Sequence, residues 1–319
     1  MGLRDYRLAF KPFEVEWAYQ AWLSHEFSHW LHTEINMQQD IRDWNENLSE
    51  YEKDLVGKIL KGFAVTETFV GDYWTTFVAK VFPKHEIVAM CNSFGARESI
   101  HSIAYNYLNE TLNLNDFEGF LSDEATMQKL EVLINADKTD SNENVARSLA
   151  LFSACTEGIQ LFSSFAILMS FRLTNKLQGI SQQMIYSVRD ESFHSECGTR
   201  LFREFLEENP EIWTETLKDE IYTGVDLAIN NEFHFIDTVF GEYELESLNK
   251  AQLKNYIYNR ANIKLLELNL EPIYKVDDTL LQEMSWFKNM IGGEQSADFF
   301  ATKETNYAKA NDDWNEDIF

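Results

Sequence analysis

The sequence predicts an all-α protein, a bundle of long helices around one core. Three observations carry that expectation. Four prolines and thirteen glycines punctuate 319 residues, too few turn formers for a many-stranded sandwich or barrel. The prolines, at 12, 83, 210 and 272, fall between apolar-periodic segments, where a residue lacking a backbone N–H does no damage. With 45% hydrophobic and 25% charged residues, the chain can fill a core, which excludes the disordered and fibrous classes.

Periodicity places helices over 14–33, 50–81, 85–112, 122–134, 143–173, 177–207, 211–240 and 247–270. The first begins past Pro12, and Pro83 parts the second from the third. The polar run from Asn135 to Asn142 opens the apolar fifth helix. Pro210 ends the sixth, Gly241-Glu242-Tyr243 breaks the chain before the eighth, and Pro272 follows it. Neither of the two polar breaks is long enough for an interdomain linker, and no solenoid repeat is present. One domain over 1–291 is expected. From Gly292 the composition turns small, polar and acidic and ends Trp314-Asn315-Glu316-Asp317-Ile318-Phe319. Residues 292–319 therefore read as a flexible acidic tail with apolar anchors.

The fifth helix demands a membrane test, because the 24 residues between Arg147 and Arg172 would span about 36 Å as a helix. Glu157 and Gln160 lie near its middle. A carboxylate at mid-bilayer costs about 2.5–3.5 kcal/mol, whereas a protein core can give it a metal partner, so a buried core helix is expected. Twenty-seven Lys and Arg against 53 Asp and Glu give a formal charge of −26, which repels nucleic acid and anionic membranes. Cys91, Cys155 and Cys197 form no short-spaced pair, as fits a reducing compartment. The N-terminus lacks the apolar run of a signal peptide, so a cytoplasmic protein is expected.

Of seven histidines, three follow a glutamate by three residues: Glu26/His29, Glu98/His101 and Glu191/His194. With 34 glutamates in the chain, chance would give about 0.7 such pairs. Residues i and i+3 share a helix face, so each pair can offer a carboxylate and an imidazole to a common point. Two such helices plus a lone Glu from each of two others make a dimetal-carboxylate centre in a four-helix bundle. Glu157 is the only charge between Arg147 and Arg172, and Glu67 is isolated between Phe63 and Phe69. Both would cost several kcal/mol as unpaired buried charges. Surface exposure or pairing with arginine is the bland alternative. His25-Glu26-Phe27-Ser28-His29 also matches the zinc-protease pattern HExxH, but no later helix supplies a third ligand at a known spacing, and packing or surface histidines are the preferred reading.

Glu98-Ser99-Ile100-His101-Ser102-Ile103-Ala104-Tyr105 and Arg189-Asp190-Glu191-Ser192-Phe193-His194 resemble the two signature helices of the small, radical-generating subunit of class I ribonucleotide reductases. The order of Glu67, Glu98, His101, Glu157, Glu191 and His194 is similar to that family's, as are Phe162-Ser163-Ser164-Phe165 and the Trp-containing segment His29 to Ile35. The resemblance runs from about residue 17 to the tail. It implies a ferritin-like helical bundle whose six named residues bind two metal ions. It also implies that Tyr105 occupies the radical-tyrosine position, with the oxidant stored either there or on the metals, that Trp30, Asp190 and His101 form the chain carrying the oxidising equivalent away, and that Tyr307 is the redox tyrosine of the tail. By residue chemistry alone, Trp30 would be core packing and Asp190 an ion-pair partner of Arg189.

One departure bears on the metal. Most family members have Asp as first ligand, whereas this chain has Glu67, as in manganese-using subclasses, while Tyr105 is retained. The resemblance therefore implies two manganese ions, with iron as the alternative, activated by oxygen or superoxide. It further implies a homodimer and a large catalytic subunit bound through the tail. The chain itself has no phosphate loop and no cysteine pair. Rival readings on the same bundle are a ligand-binding oxidase or monooxygenase, and a ferritin-like iron-binding protein.

Overall fold

The computed structural model describes residues 2–114 and 141–292, except that the side chains of residues 64–69 are outside the description. The predicted helix 122–134, the tail with Tyr307 and its apolar anchors, and the Glu67 side chain all lie outside the described residues. The described residues contain helices and no strand. In chain order the helices are α1 (Glu16–Phe27), α2 (Gln38–Arg42), α3 (Glu50–Asp72), α4 (His85–Thr111), α5 (Asn142–Leu151), α6 (Phe162–Ser170), α7 (Gln178–Glu208), α8 (Glu215–Phe240), α9 (Lys250–Glu267), α10 (Asp278–Glu283) and α11 (Ser285–Ile291). A π segment over Tyr73–Val78 and a helical turn at Ala79–Val81 prolong α3.

Several of these helices carry their start signals locally. Ser49 and Glu52 form a reciprocal capping box on α3, as Asn249 and Gln252 do on α9. Ser141, Thr214 and Asp277 cap α5, α8 and α10. The longest helix, α7, has no such cap. Its first amides, Gly179 and Ile180, instead donate to the Asp40 carboxylate of α2, at 2.9 and 2.8 Å.

Four rods surround the centre: α3, α4, α7 and the segment running from α5 to α6. Their facing sides are aliphatic and aromatic, with Leu60, Phe63, Trp74, Phe94, Leu149, Phe165 and Leu201 buried between them. No described helix is long and apolar enough to cross a membrane, and the three cysteines are buried and unpaired with one another.

The structure corrects three boundaries. The first predicted helix stops at Phe27, and the chain runs through a short 3-10 turn, His32–Glu34, so Trp30 sits in non-helical backbone. The region 271–291, left without helices by periodicity, contains α10 and α11. The expected continuous helix 143–173 is broken: α5 gives way to a π segment, Phe152–Thr156, and a turn before α6. There the Glu157 amide donates to the Phe152 carbonyl and the Gln160 amide to the Cys155 carbonyl, each five residues back. Gly158 suits the turn, because a Cβ there would lie 2.5 Å from the Ala154 carbonyl oxygen and 2.8 Å from Lys264 Cδ of α9. Arg260, also on α9, donates to the Gly158 carbonyl from Nε and Nη2 at 3.1 and 2.9 Å.

Candidate metal centre

The broken rod matters because it places Glu157 at the centre of the bundle. Insertion of a π turn re-aims the residue that follows it. Glu157 is buried beside Glu98 of α4 and Glu191 and His194 of α7, and one ligand atom from each of the four lies within 4.8 Å of the others. His101 joins them: its Nδ1 is 3.1 Å from Glu98 Oε2 and 3.0 Å from Glu191 Oε1. His194 Nδ1 is 2.8 Å from Glu98 Oε1 and 3.6 Å from Glu157 Oε2. Five of the six residues expected as ligands are thus together and buried. The sixth, Glu67, lies on α3, and its side chain is outside the described residues.

Three carboxylates and two imidazoles in one dry space must balance their charge. Burial alone would raise the Glu98 carboxyl, but the His101 and His194 imidazoles hold it below the usual carboxylate range. Burial, reinforced by the charges of Glu98 and Glu157, pushes Glu191 well upward. Burial would lower His194, yet its hydrogen bonding to Glu157 and Glu98 carries it up to about 9. His101 is likewise raised against its burial, chiefly by the Glu98 charge. Protons therefore neutralise the cluster when no other cation does. Glu98 Oε1, Glu157 Oε2 and both Glu191 oxygens are buried, and among the described residues the donors nearest to them are the His101 and His194 ring nitrogens. Carboxylate and imidazole donors of this kind suit first-row divalent metals, so the residues fit a metal pair.

Both histidines are held from behind. His101 Nε2 is 3.1 Å from Asp190 Oδ2, which also accepts the Trp30 indole N–H at 2.7 Å. Arg97 donates to the other oxygen, Asp190 Oδ1, at 2.8 Å. Burial would raise Asp190, but the bond from His101 and the nearby positive charges hold it at about 2, so it stays an acceptor. Trp30 stacks near His101, ring centroids 5.8 Å apart. The expected chain from Trp30 through Asp190 to His101 is continuous in hydrogen bonds. The ion pair considered for Asp190 with Arg189 is replaced by one with Arg97, while Arg189 donates to the Ile291 carbonyl.

His194 has a backing group of its own. Its Nε2 is 3.1 Å from His25 Nε2, His25 Nδ1 is 2.7 Å from Ser93 Oγ, and Ser93 donates to Glu26 Oε1 at 2.6 Å. Ser93 has one proton and gives it to Glu26, so it accepts from His25 Nδ1–H. His25, whose pKa is lowered by burial and then by the neighbouring His194, is neutral and accepts from His194 Nε2–H. That sequence leaves His194 Nδ1 facing the carboxylates, as His101 Nδ1 does. Outer hydrogen bonds of this kind orient metal-binding imidazoles. Sequence reading set His25 aside with the HExxH match, and the pattern does break in space: His29 is exposed beyond the end of α1, whereas His25 is buried.

Trp74 was also missed. Its indole N–H donates to Glu157 Oε1 at 2.7 Å, a role that an aromatic in an apolar run does not advertise. Tyr105, buried one turn beyond His101, stacks on Phe63 with ring centroids 4.7 Å apart.

The chain matches the family model "Ribonucleotide reductase, small chain" over residues 7–280. It is 32% identical to a probable ribonucleoside-diphosphate reductase small subunit of Invertebrate iridescent virus 3, covering 97% of this chain and 86% of that protein. It is 27% identical to the ribonucleoside-diphosphate reductase subunit beta of Chlamydia pneumoniae, over 94% of this chain and 89% of that one. Among solved structures, a putative class I ribonucleotide reductase from Bacillus halodurans superposes with TM-score 0.79 at 24% identity, covering 86% of this chain and 99% of the other. The dimanganese(II)-NrdF of Streptococcus sanguinis superposes with TM-score 0.77 at 22% identity, covering 90% and 99%. Those two likenesses establish the ferritin-like fold. With the family model spanning most of the sequence, the chain belongs to the ribonucleotide reductase small chain family.

Proposed function

We propose that this chain works as the small subunit of a ribonucleoside-diphosphate reductase, generating and storing a one-electron oxidant that a large subunit uses to reduce ribonucleotides to deoxyribonucleotides. The observation that carries the reading is the convergence of Glu98, His101, Glu157, Glu191 and His194, with Asp190 and Trp30 hydrogen-bonded in line behind His101. With Glu67 as the sixth ligand, these residues hold two metal ions, manganese in preference to iron because the first ligand is the longer carboxylate. When bound, the metals supply the oxidant by reaction with oxygen or superoxide.

The protein's own groups determine where that oxidant goes. The aliphatic and aromatic walls exclude water, which protects a reactive centre from side reactions. Asp190 accepts the Trp30 N–H, so a proton released as Trp30 is oxidised has an acceptor in place. Tyr105 serves as the phenol nearest the cluster on α4, and Tyr307 carries the oxidising equivalent across to the large subunit. Trp314, Ile318 and Phe319 anchor the tail on that subunit, because apolar residues on an acidic segment dominate its contact energy. The working form is a cytoplasmic homodimer.

The test combines metal analysis with electron paramagnetic resonance and turnover beside a large subunit, after activation with oxygen or superoxide. A manganese-loaded protein that gains activity is the expected result, and retained activity in Tyr105→Phe places storage on the metals. A sharp tyrosyl signal, lost with all activity in that variant, reverses the storage assignment. Tyr307→Phe and removal of residues 300–319 should each abolish turnover with the metal spectrum intact. Normal turnover in either removes the corresponding role.

A further inference from the structure

The antiparallel register of α4 and α7 identifies a second buried polar site beside Tyr105. Glu98 faces His194, with Oε1 and Nδ1 2.8 Å apart, and His101 faces Glu191, with Nδ1 and Oε1 3.0 Å apart. Moving forward along α4 therefore means moving back along α7. One turn beyond the cluster, Tyr105 on α4 comes level with Ser187 on α7, and one turn further Asn109 comes level with Gln183. All four residues are fully buried.

A helical core usually presents aliphatic residues at such positions. Here Ser187 Oγ, Gln183 Oε1, Gln183 Nε2 and Asn109 Oδ1 are buried and have no hydrogen-bond partner among the described residues. Asn109 is fixed in orientation, because its Nδ2 donates to the Leu60 carbonyl of α3 at 3.1 Å and to the Tyr105 carbonyl at 3.0 Å. Its Oδ1 is left as an acceptor. Ser187 offers a hydroxyl, and Gln183 offers a donor and an acceptor. Buried polar atoms are nearly always satisfied, by protein or by internal water, and an internal water makes about three hydrogen bonds to groups of this kind. Phe63 stacks on Tyr105, and its ring lies 5.2 Å from that of Phe165, so these two rings beside the tyrosine offer no hydrogen-bonding partner.

We propose that Asn109, Gln183 and Ser187 form an internal water site next to Tyr105, on the side away from the metal ligands, so that this tyrosine occupies a locally wet pocket within an otherwise dry bundle. The site goes beyond the reductase reading and is independent of whether Tyr105 stores the oxidant, since the four atoms need partners in either case.

A crystal structure of the full chain, resolved well enough to show ordered water, tests the site directly. At least one water within hydrogen-bond distance of two of the three side chains is expected. Side chains paired only with protein, and no water between them, would overturn the proposal. A solution measurement uses the metal-depleted chain with 3-fluorotyrosine in place of Tyr105, comparing its fluorine resonance in H2O and D2O. A solvent isotope shift is expected, reduced by half or more in the double variant Gln183→Leu, Ser187→Ala. An absent shift, or an equal shift in the folded double variant, would also overturn it. Neither readout depends on turnover, so loss of the reductase reading would show separately in the activity assay.

Discussion

Gly198 sits on α7 one turn past His194, where that helix crosses the π segment leading to Glu157. A methyl group at this position would lie 2.0 Å from Ser153 Oγ, 2.7 Å from Ser153 Cβ and 3.1 Å from Trp74 Cη2. Rotating Ser153 removes the first contact, but its Cβ is fixed by the backbone, and the Ser153 carbonyl is tied to α7 by the Ser195 hydroxyl at 2.6 Å. The segments must therefore part by about 0.7 Å to restore a 3.4 Å contact. A gap of that size forfeits roughly a quarter to a half of the dispersion energy across it. Overpacking of this kind costs about 1–3 kcal/mol, against the gain of about 1 kcal/mol from Gly to Ala within a helix. Gly198→Ala is expected to destabilise by up to about 2 kcal/mol and to lower metal occupancy, because Trp74 positions Glu157. Gly57→Ala on α3 is the control, since among the described residues its Cβ meets only Leu114, at 3.6 Å, and it should stabilise by about 0.5–1 kcal/mol. Denaturant midpoints of metal-depleted protein, with metal content measured in parallel, compare the two. If Gly198→Ala proves as stable as Gly57→Ala, the packing argument fails.

Three further outcomes follow from the same geometry. Trp74→Phe removes the donor to Glu157 and should weaken metal binding about 10–100-fold, the usual effect of losing such an outer bond; unchanged affinity by competitive chelator titration counts against the role. His25→Ala should likewise weaken binding, with His25→Gln recovering part of it because an amide can accept from His194 Nε2–H; equal affinity in all three proteins would dismiss His25 as an orienting group. Since His194 is raised to about 9, a metal must displace its proton at neutral pH, so affinity should rise from about pH 7 to 9 with net proton release, measured by calorimetry in buffers of differing ionisation enthalpy. A pH-independent affinity would contradict the charge balance drawn for the cluster.

Chain order alone made the helical class, the two Glu-x-x-His faces and the buried Glu157 legible. Those properties depend on spacing along one helix or on an isolated charge in an apolar run, which chain order records. It also made the Trp30, Asp190 and His101 chain legible, though only through family resemblance. Tertiary structure alone decided the rest. Periodicity carried one helix across 143–173, whereas the structure inserts a π segment, Phe152–Thr156, and a turn in which Gly158 packs against Lys264 and Arg260 of α9. The cap of α7 comes from Asp40, 139 residues from Gly179, and the partners of His194 and Glu157 are His25 and Trp74, 169 and 83 residues away. Hydrogen bonds of such separation arise when rods pack side by side, and no local pattern specifies which side chains will then meet.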